Sequence, residues 1–258
     1  MMPAAIGRVL TNRFSFRKPN MSAWQAVVFD LDDTLYPERD YVLSGFKAVA
    51  LWAEEHVQIP FEQGYAELRG LFEGGVRGDT FNRWLAAHEF APTDRLISQL
   101  VHAYREHEPV LQPFPEIPPL LGLIRPRCRL GLVSDGYLAV QQRKLAALQL
   151  AGHFDAVVFS AQWGRESWKP STKPFAAVLE LLSAEAARSI YVADNPLKDF
   201  LGARRLGMFT VRVRHTGGEY ALQSPPSAQH APHLTLESLP ELAEFLPGIL
   251  APSSLEST

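Results

Sequence analysis

The sequence predicts an α/β fold, in which a parallel sheet carries helices on both faces and a helical bundle is inserted after the first strand. Short apolar runs alternate with amphipathic helical patterns over most of the chain, as in sheets built from strand–helix–strand units. One long segment, residues 38–113, has helical patterns but no good strand. With 258 residues, of which 47% are hydrophobic, the chain is long enough for a sizeable core and a small accessory domain.

Apolar runs predict the strands of the sheet at residues 23–30, 129–134, 156–159, 189–194 and 208–213. Helical patterns follow the second, third and fourth of these runs, at residues 138–150, 172–182 and 197–206. A helix after a strand carries the chain back over one face of the sheet, so the strands are expected to run parallel. A surface loop rich in Pro, Ser and Ala is expected over residues 223–233, followed by a last helical pattern over 236–250.

The inserted segment predicts four helices between the first and second strands. Apolar residues recur at helical spacing, and glycines and prolines separate the helices. One apolar face contains Tyr41, Val42, Phe46, Val49, Ala50 and Ala53, and another contains Leu96, Ile97, Leu100, Val101 and Tyr104. The Pro-rich residues 109–119 then return the chain to the sheet. The segment is therefore expected to form a helical bundle.

Composition and charge argue against several classes of partner. The 25 basic and 28 acidic residues give a formal charge of −3, and no basic stripe is present, so nucleic acid is not an expected partner. No apolar run approaches the roughly 20 residues of a membrane span, so no membrane association is expected. The single cysteine, Cys128, cannot form an internal disulfide and suits a reducing cytoplasm, where we expect the protein to reside.

The two ends of the chain are expected to lie outside the fold. Residues 1–20 contain four basic residues and no acid, and they lack the apolar centre of a secretory signal. A transit peptide is one interpretation, but a disordered extension or an upstream start is favoured because Met21 directly precedes the first strand. Residues 251–258 are expected to form a tail.

The first strand delivers two carboxylates into the turn that follows it. Asp30 and Asp32 are two residues apart, so in extended backbone they share a face and could point together into a crevice at the strand's carboxyl end. Such a pair can bind one Mg²⁺ or divide into nucleophile and general acid. Taken alone, the segment could equally be a strand that ends in a solvated acidic turn.

Three later segments also place polar residues at or just after the end of an apolar run. Ser134-Asp135-Gly136 follows the second strand, and Lys169 lies in a loop after the third. Asp194 and Asp199 form a second acidic pair after the fourth strand. Considered singly, these residues could be a helix cap, a surface lysine, a turn and a first-turn acid. Their joint order favours a single site over these separate interpretations.

These four segments resemble the ordered motifs of the haloacid-dehalogenase-like (HAD) hydrolase superfamily, and in particular its subfamily I phosphatases. The resemblance spans Asp30 to Asp199 and implies a Rossmann-like core. It also implies that the inserted helices form a type 1 cap, a lid that excludes water and selects substrates. The expected division is a core domain of residues 21–36 and 114–250 and a cap domain of residues 37–113. Ala193 departs from the family pattern, in which glycine is common, but adds only a methyl group.

By this resemblance Asp30 is the nucleophile, which forms an aspartyl-phosphate that water then hydrolyses. Asp32 is the general acid and base, and its backbone carbonyl joins the metal shell. Thr34 is expected to hold the turn by side-chain hydrogen bonding and to lie in the substrate site. The metal is expected to be Mg²⁺, held by Asp30 and Asp194, with Asp199 as a water-mediated ligand or as a partner of Lys169.

The remaining site residues are expected to bind the phosphoryl group. Ser134 would donate to a phosphoryl oxygen, together with the backbone N–H groups of Asp135 and Gly136 at the opening of a helix. Lys169 would neutralise the crowded negative charges and stay charged among them. Lys173, which is also followed by proline, is the alternative to Lys169, but Lys169 fits the family spacing better.

The leading hypothesis is therefore a Mg²⁺-dependent phosphatase for a small phosphorylated metabolite, such as a sugar phosphate or a nucleoside monophosphate. A sugar-phosphate mutase would share all four motifs and stays open. A haloacid dehalogenase would lack Asp32, and a non-catalytic binding protein would be expected to lack Asp30 or Asp32. Basic and amide side chains that could bind the leaving group are Arg39, Arg77, Asn82, Arg83 and Arg105, although each could also be solvated. Both a monomer and a homodimer are compatible with the sequence, which does not identify the substrate.

Overall fold

The structure is a computed structural model that describes residues 24–250; the expectations for residues 1–20, Met21 and residues 251–258 lie outside the described residues. Within them, six parallel strands form one sheet in the order β3-β2-β1-β4-β5-β6. The strands are β1 (Ala26–Phe29), β2 (Arg129–Ser134), β3 (Ala156–Phe159), β4 (Ser189–Ala193), β5 (Phe209–Val213) and β6 (Leu234–Leu236). The predicted Rossmann-like α/β class is confirmed.

The helices of the described residues comprise an inserted group and a group that covers the sheet. The inserted group is α1 (Glu38–Val57), α2 (Phe61–Glu73), α3 (Thr80–Ala87) and α4 (Asp94–Glu106). The second group is α5 (Ile117–Ile124), α6 (Leu138–Ala147), α7 (Lys173–Leu181), α8 (Asp199–Arg205) and α9 (Leu239–Leu250). The four helices expected in the insertion are therefore present.

Two elements of the fold were not predicted from the sequence pattern. Helix α5 begins inside the Pro-rich stretch, because Pro118 and Pro119 occupy its first turn, where a missing backbone N–H costs no hydrogen bond. Strand β6 has three residues, too few to show an alternating pattern, and pairs with β5 at the sheet edge. Most other bounds differ from the expected ones by one to three residues, within the usual fraying of element ends.

Alternate residues of β1 pack on opposite faces of the sheet. Val27 and Phe29 belong to the apolar cluster that also contains residues of α5, α6 and α9. Ala26 and Val28 belong to a second cluster, formed with α7 and α8. All four are completely buried, as expected for a strand at the centre of a parallel sheet. The loops at the end of β1 therefore rest on a rigid platform.

The order of the strands places the crevice of the sheet beside β1. Chain connections run outward from β1 to β2 and β3 on one side, and from β4 to β5 and β6 on the other. The loops that follow β1 and β4 consequently diverge over opposite faces, and such a switch point is where open α/β sheets bind ligands. Asp30 follows β1 and Asp194 follows β4, so both lie at this point.

The inserted helices have an apolar core of their own. Phe46, Val49, Leu68, Trp84 and Leu100 are buried together between α1, α2, α3 and α4. Glu67 links two of these helices, because its carboxylate accepts from Trp84 Nε1 at 2.8 Å and contacts His88 Nε2 at 2.5 Å. No helix within residues 24–250 is both long and apolar enough to span a bilayer.

Candidate active site

Parallel strand ends bring three distant segments of the chain together. The backbone N–H of Asp30 donates to the carbonyl of Val192 in β4 at 2.9 Å, which fixes the start of the first loop beside the fourth strand. Asp194 leaves β4 directly, and Asp199 begins α8. Lys169 enters from the loop between β3 and α7. The structure thus places four of the expected residues in one buried group.

Lys169 lies at the centre of this group. Its Nζ donates to Asp30 Oδ1 at 2.6 Å and is 2.8 Å from Asp199 Oδ1, and the hydroxyl of Tyr191 is 3.2 Å away. The lysine side chain has no exposed surface. One buried cation is therefore divided between two carboxylates, of which Asp199 also accepts from the backbone N–H of Asn195 at 2.9 Å.

Burial and crowding shift the proton affinities of this group. Loss of solvent raises the pKa of Asp30 to about 6; Lys169 opposes the shift and Asp199 reinforces it. The pKa of Asp194 is raised well above its usual value by burial and by the negative charges of Asp199 and Asp30. Burial alone would lower the pKa of Lys169, but the two carboxylates that it contacts raise it well above its usual value. Lys169 therefore stays charged.

The carboxylates of this group fit a hard divalent cation. Among the described residues, oxygens of Asp30, Asp194 and Asp199 lie within 4.8 Å of one another, and all three side chains are buried. An all-oxygen, anionic donor set is the type that Mg²⁺ prefers. Burial first, and then repulsion from the charges of Asp199 and Asp30, make ionisation of Asp194 unfavourable in this group. A bound cation would relieve this repulsion.

Asp32 turns away from this cluster and has its own lysine. Lys144, on α6, donates from Nζ to Asp32 Oδ1 at 2.7 Å, and the hydroxyl of Tyr36 donates to the same oxygen at 2.5 Å. Gln141 Nε2 is 3.3 Å from the other carboxylate oxygen. Burial would raise the pKa of Asp32, but Lys144 and these hydrogen bonds lower it below its usual value. The side chain of Asp32 is therefore not part of the carboxylate cluster.

Lys144 also contacts the inserted helices. Its Nζ lies 4.2 Å from the ring centre of Tyr41 on α1, and its side chain is 4% exposed. A second contact joins the same elements, because Arg143 donates to the carbonyl of Arg105 at 2.8 Å. The residue that holds Asp32 is therefore packed between the sheet domain and the insertion.

Two buried hydroxyls of the site make no hydrogen bond within residues 24–250: Ser134 Oγ and Thr34 Oγ1. Ser134 is not a helix cap, because α6 begins four residues later, at Leu138, with Tyr137 as its N-cap residue. Thr34 does not hold the first turn by its side chain, which corrects the expectation from sequence. Asp33 holds it instead, because its carboxylate accepts from the backbone N–H groups of Glu38 and Glu219, each at 2.8 Å.

Asp135 and Gly136 shape the loop after β2. The carboxylate of Asp135 accepts from Ser160 Oγ at 2.6 Å and from the backbone N–H of Lys169 at 3.2 Å, so it fixes the base of the lysine loop. Gly136 has φ of 129°, and a Cβ there would lie 2.3 Å from Gln141 Nε2. Only glycine can hold this backbone next to Gln141 without strain.

Lys173 and the basic residues of the insertion lie outside the carboxylate cluster. Lys173 is exposed on α7, with its Nζ 5.1 Å from the ring centre of Trp163, so it is not in the carboxylate cluster. Arg39 and Arg77 line a cleft that also contains Asp33. Arg83 is exposed and pairs with Asp79 on its own helix at 2.7 Å.

Four residues near the candidate site were not identified from the sequence: Glu38, Gln141, Lys144 and Tyr191. The carboxyl of Glu38 has its pKa raised to about 7, first by burial and then by Asp32. Gln141 and Lys144 are buried, and they lie one turn apart on α6 among apolar residues of the same helix. Their positions on the apolar face of α6 were the feature of the sequence from which Gln141 and Lys144 could have been identified.

Comparisons with known proteins agree with this geometry. The family model described as haloacid dehalogenase-like hydrolase matches residues 27–213. A glyceraldehyde 3-phosphate phosphatase from Methanopyrus kandleri is 31% identical over 229 residues, covering 86% of this chain and 97% of that protein. The pyrimidine 5'-nucleotidase YjjG from Escherichia coli is 25% identical over 234 residues, covering 86% of this chain and 98% of that protein.

A solved structure shares the fold. The magnesium-bound crystal structure of YfnB from Bacillus subtilis superposes with a TM-score of 0.61 at 20% identity, covering 87% of this chain and 99% of that one. At this level of identity the likeness concerns the arrangement of the strands and helices. It agrees with the α/β architecture described above.

Proposed function

The chain belongs to the haloacid dehalogenase-like hydrolases, and we propose that it is a Mg²⁺-dependent phosphatase that hydrolyses a small phosphomonoester through an aspartyl-phosphate. The observation that carries this proposal is the buried group of Asp30, Lys169 and Asp199 at the switch point of the sheet. Relatives named as phosphatases support the reaction type, and their different substrates leave both sugar phosphates and nucleoside monophosphates as candidates.

In the first step, a carboxylate oxygen of Asp30 attacks phosphorus in line with the leaving oxygen. A bond between Asp30 and phosphorus forms while the bond from phosphorus to the leaving group breaks. For this step Asp32 must carry a proton, which it gives to the leaving oxygen, so the bound substrate has to offset the lowering of its pKa by Lys144. Lys169 holds the attacking carboxylate in place and offsets the negative charge that builds up near it.

In the second step, water attacks the phosphorus of the aspartyl-phosphate. Asp32, now ionised, takes the proton from this water, and the bond between Asp30 and phosphorus breaks to release phosphate. The low pKa of Asp32 suits this second role, because Lys144 and Tyr36 stabilise the ionised form. The two carboxylates thus divide the nucleophile and proton-transfer roles.

The phosphoryl oxygens would be bound from two sides. The hydroxyl of Ser134, which has no hydrogen-bond partner within residues 24–250, is free to donate to one of them. Asp30 and Asp194, with Asp199 directly or through water, would hold Mg²⁺. When bound, this ion would supply positive charge that draws electron density from the phosphoryl group. The backbone groups of Asp32, Asp135 and Gly136 and the hydroxyl of Thr34 complete the proposed set.

We also propose that residues 37–113 act as a cap over a core domain of residues 21–36 and 114–250. The insertion has its own apolar core, and it contacts residues of the rest of the chain that adjoin the candidate site. Arg77 donates to both carboxylate oxygens of Glu219, at 2.7 and 2.8 Å, and Lys144 contacts Tyr41. A lid in this position would exclude water from the reaction.

The test is hydrolysis of p-nitrophenyl phosphate by the wild type and by Asp30→Asn, each with Mg²⁺ and with EDTA. We expect activity only in the wild type with Mg²⁺, and a loss of at least about 10³-fold in the variant, since it lacks the nucleophile. Asp94→Asn is the matched control, because this carboxylate is exposed in the first turn of α4 and should keep full activity. Substantial turnover by purified Asp30→Asn would refute the assignment of Asp30.

A further inference from the structure

Two adjoining chambers lie beside the candidate active site and within the insertion. The first has a volume of about 380 Å³ and lies between Asp33, Glu38 and the loop that contains Glu219 and Tyr220. The second has a volume of about 350 Å³ and lies among α1, α2, α3 and α4. The chambers share three lining residues, Val42, Phe72 and Arg77, so they adjoin each other.

The first chamber is close to the reacting groups. Asp33, which lines this chamber, directly follows Asp32, and its carboxylate accepts from the backbone N–H groups of Glu38 and Glu219, each at 2.8 Å. Neither Glu38 nor Tyr220 makes a side-chain hydrogen bond within residues 24–250. A leaving group attached to a phosphate at Asp30 would therefore meet one free acceptor and one free hydroxyl.

Both arginines that line this chamber form ion pairs with carboxylates of the protein. Arg39 pairs with Glu73 at 2.5 Å, and Arg77 pairs with Glu219 at 2.7 Å. The guanidinium of Arg77 also stacks on Phe72, 3.8 Å from the ring centre. A second phosphate or a carboxylate on the leaving group would have to break these pairs. An uncharged leaving group that carries hydroxyls suits the chamber better, because carboxyl and phenol groups bind hydroxyls well.

The second chamber has walls of aromatic rings. Phe46 lies edge-on to Phe81 at 6.4 Å between ring centres, and Phe81 lies edge-on to Tyr104 at 6.0 Å. Asn82 is exposed beside them, and its amide makes no hydrogen bond within the described residues. Aromatic walls with a free amide at the rim suit a flat heterocycle, which gains stacking contacts and one or two hydrogen bonds.

We propose that the leaving group is a nucleoside, with its ribose in the first chamber and its base in the second. This proposal rests on the phosphatase function proposed above and specifies its substrate class as nucleoside 5'-monophosphates. The hydroxyls of the ribose bind Glu38 and Tyr220, and the base lies against Phe81 with its polar edge at Asn82. A three-carbon leaving group would leave the aromatic chamber unfilled.

The test compares pairs of substrates that differ only in the base. We measure kcat/KM for a panel of nucleoside 5'-monophosphates against ribose 5-phosphate, with glyceraldehyde 3-phosphate and p-nitrophenyl phosphate alongside. At least one nucleotide is expected to exceed ribose 5-phosphate tenfold or more. Equal or better turnover of the sugar phosphates would overturn the nucleoside proposal and leave the phosphatase proposal standing. Absence of turnover with every ester would overturn both.

Two variants locate the base. Phe81→Ala and Asn82→Leu are each expected to lower the ratio of nucleotide to ribose 5-phosphate turnover by about tenfold, through a higher KM for the nucleotide. Asn82 is exposed, so its variant should fold even if Phe81→Ala does not. Gln99→Leu, on an exposed position of α4, is the matched control and should keep the wild-type ratio. An unchanged ratio in Asn82→Leu, or in both variants, would overturn the proposed placement of the base.

Discussion

Asp30 and Asp32 leave the same strand two residues apart, yet their surroundings change their proton affinities in opposite directions. Each accepts from a lysine Nζ at nearly the same distance, 2.6 Å from Lys169 and 2.7 Å from Lys144. The pKa of Asp30 is raised to about 6, chiefly by burial, whereas the pKa of Asp32 is lowered. The presence of a lysine therefore does not by itself determine the charge of its partner.

The difference is in the number of carboxylates that each lysine serves. Lys169 is divided between Asp30 and Asp199, and Asp194 adds a third negative charge nearby. Among the described residues Lys144 forms an ion pair with one carboxylate, that of Asp32, and a tyrosine hydroxyl adds a second hydrogen bond. Asp30 therefore lies in an underneutralised cluster that favours a cation, whereas Asp32 is already neutralised. The lowered pKa of Asp32 suits its role as the base of the second step, and a cation bound in the cluster would favour the ionised, nucleophilic form of Asp30.

Removing each lysine in turn tests this contrast and should give the largest effects. Lys169→Met leaves two buried carboxylates unpaired, so we expect a loss of kcat/KM of about 10³-fold and destabilisation of about 3–5 kcal/mol. Lys144→Met affects one carboxylate that is 18% exposed, so we expect a loss of at most about 10²-fold and a smaller change in stability. Steady-state kinetics and thermal unfolding measure both.

Lys173→Met is the matched control for these substitutions. The side chain of Lys173 is exposed on α7, and this variant should behave as the wild type. Equal losses of kcat/KM and of stability in Lys169→Met and Lys144→Met would show that the two lysines contribute alike. The number of carboxylates that each lysine contacts would then not explain the difference between Asp30 and Asp32.

A glycine on α8 tests whether the lysine loop holds the Asp30 side of the site in place. A Cβ on Gly202 would lie 2.6 Å from the carbonyl oxygen of Pro170 and 2.8 Å from that of Ser171, just after Lys169. Gly202→Ala should therefore displace this loop, destabilise the fold by about 1–3 kcal/mol and reduce activity about tenfold. Thermal unfolding and kcat/KM are the measurements.

Gly122→Ala provides the control for this substitution. Gly122 lies within α5, and a Cβ there would meet no atom within 4 Å. This variant should be as active as the wild type and up to about 1 kcal/mol more stable, because alanine favours the helix. If Gly202→Ala matched this control, close packing of α8 against the lysine loop would not determine the position of Lys169.

The residues around Asp30 could be predicted from the sequence more completely than those around Asp32. Strand ends of a parallel sheet converge, so polar residues directly after apolar runs can be expected to meet, as Asp30 and Asp194 do, and Lys169 joins them from the loop after β3. Lys144 comes from the middle of a helix, and whether it faces Asp32 depends on how α6 rotates against the sheet. That rotation is set by tertiary packing, which periodicity alone does not resolve.

The same distinction applies to the fold. Strands β2 and β3 have the bounds expected from their apolar runs; β2 is buried over all but its first residue, whereas β3, at the other edge of the sheet, buries every second residue. The edge strand β6 and helix α5 depend on a neighbouring strand and on the sheet surface, respectively, more than on their own pattern. Likewise, the free hydroxyl of Thr34 could not be foreseen, because Asp33 takes over the hydrogen bonds of the first turn.

The smallest expected effect concerns pH and the divalent cation. The pKa values of Asp30 and Asp194 are raised in the folded state, so the folded protein retains protons that the unfolded chain releases. In EDTA, their contribution to stability is therefore complete below about pH 4, the ordinary Asp value, and is lost as the pH rises, for Asp30 through about 6. Asp194→Asn should reduce the loss of stability that occurs as the pH rises. Asp32→Asn should not reduce it, because the pKa of Asp32 is lowered.

Thermal unfolding between pH 5 and 8 measures this effect as the difference between each variant and the wild type. In EDTA, Asp194→Asn should gain a few degrees in Tm relative to the wild type as the pH rises, since 1 kcal/mol corresponds to about 2–4 °C for a chain of this size. Mg²⁺ should stabilise the wild type most at the upper end of this range, where all three carboxylates are ionised, and should stabilise Asp194→Asn less. A Tm difference that does not change with pH would mean that Asp194 is already neutralised without a cation. The two sides of the site would then not differ in the way their charges are balanced.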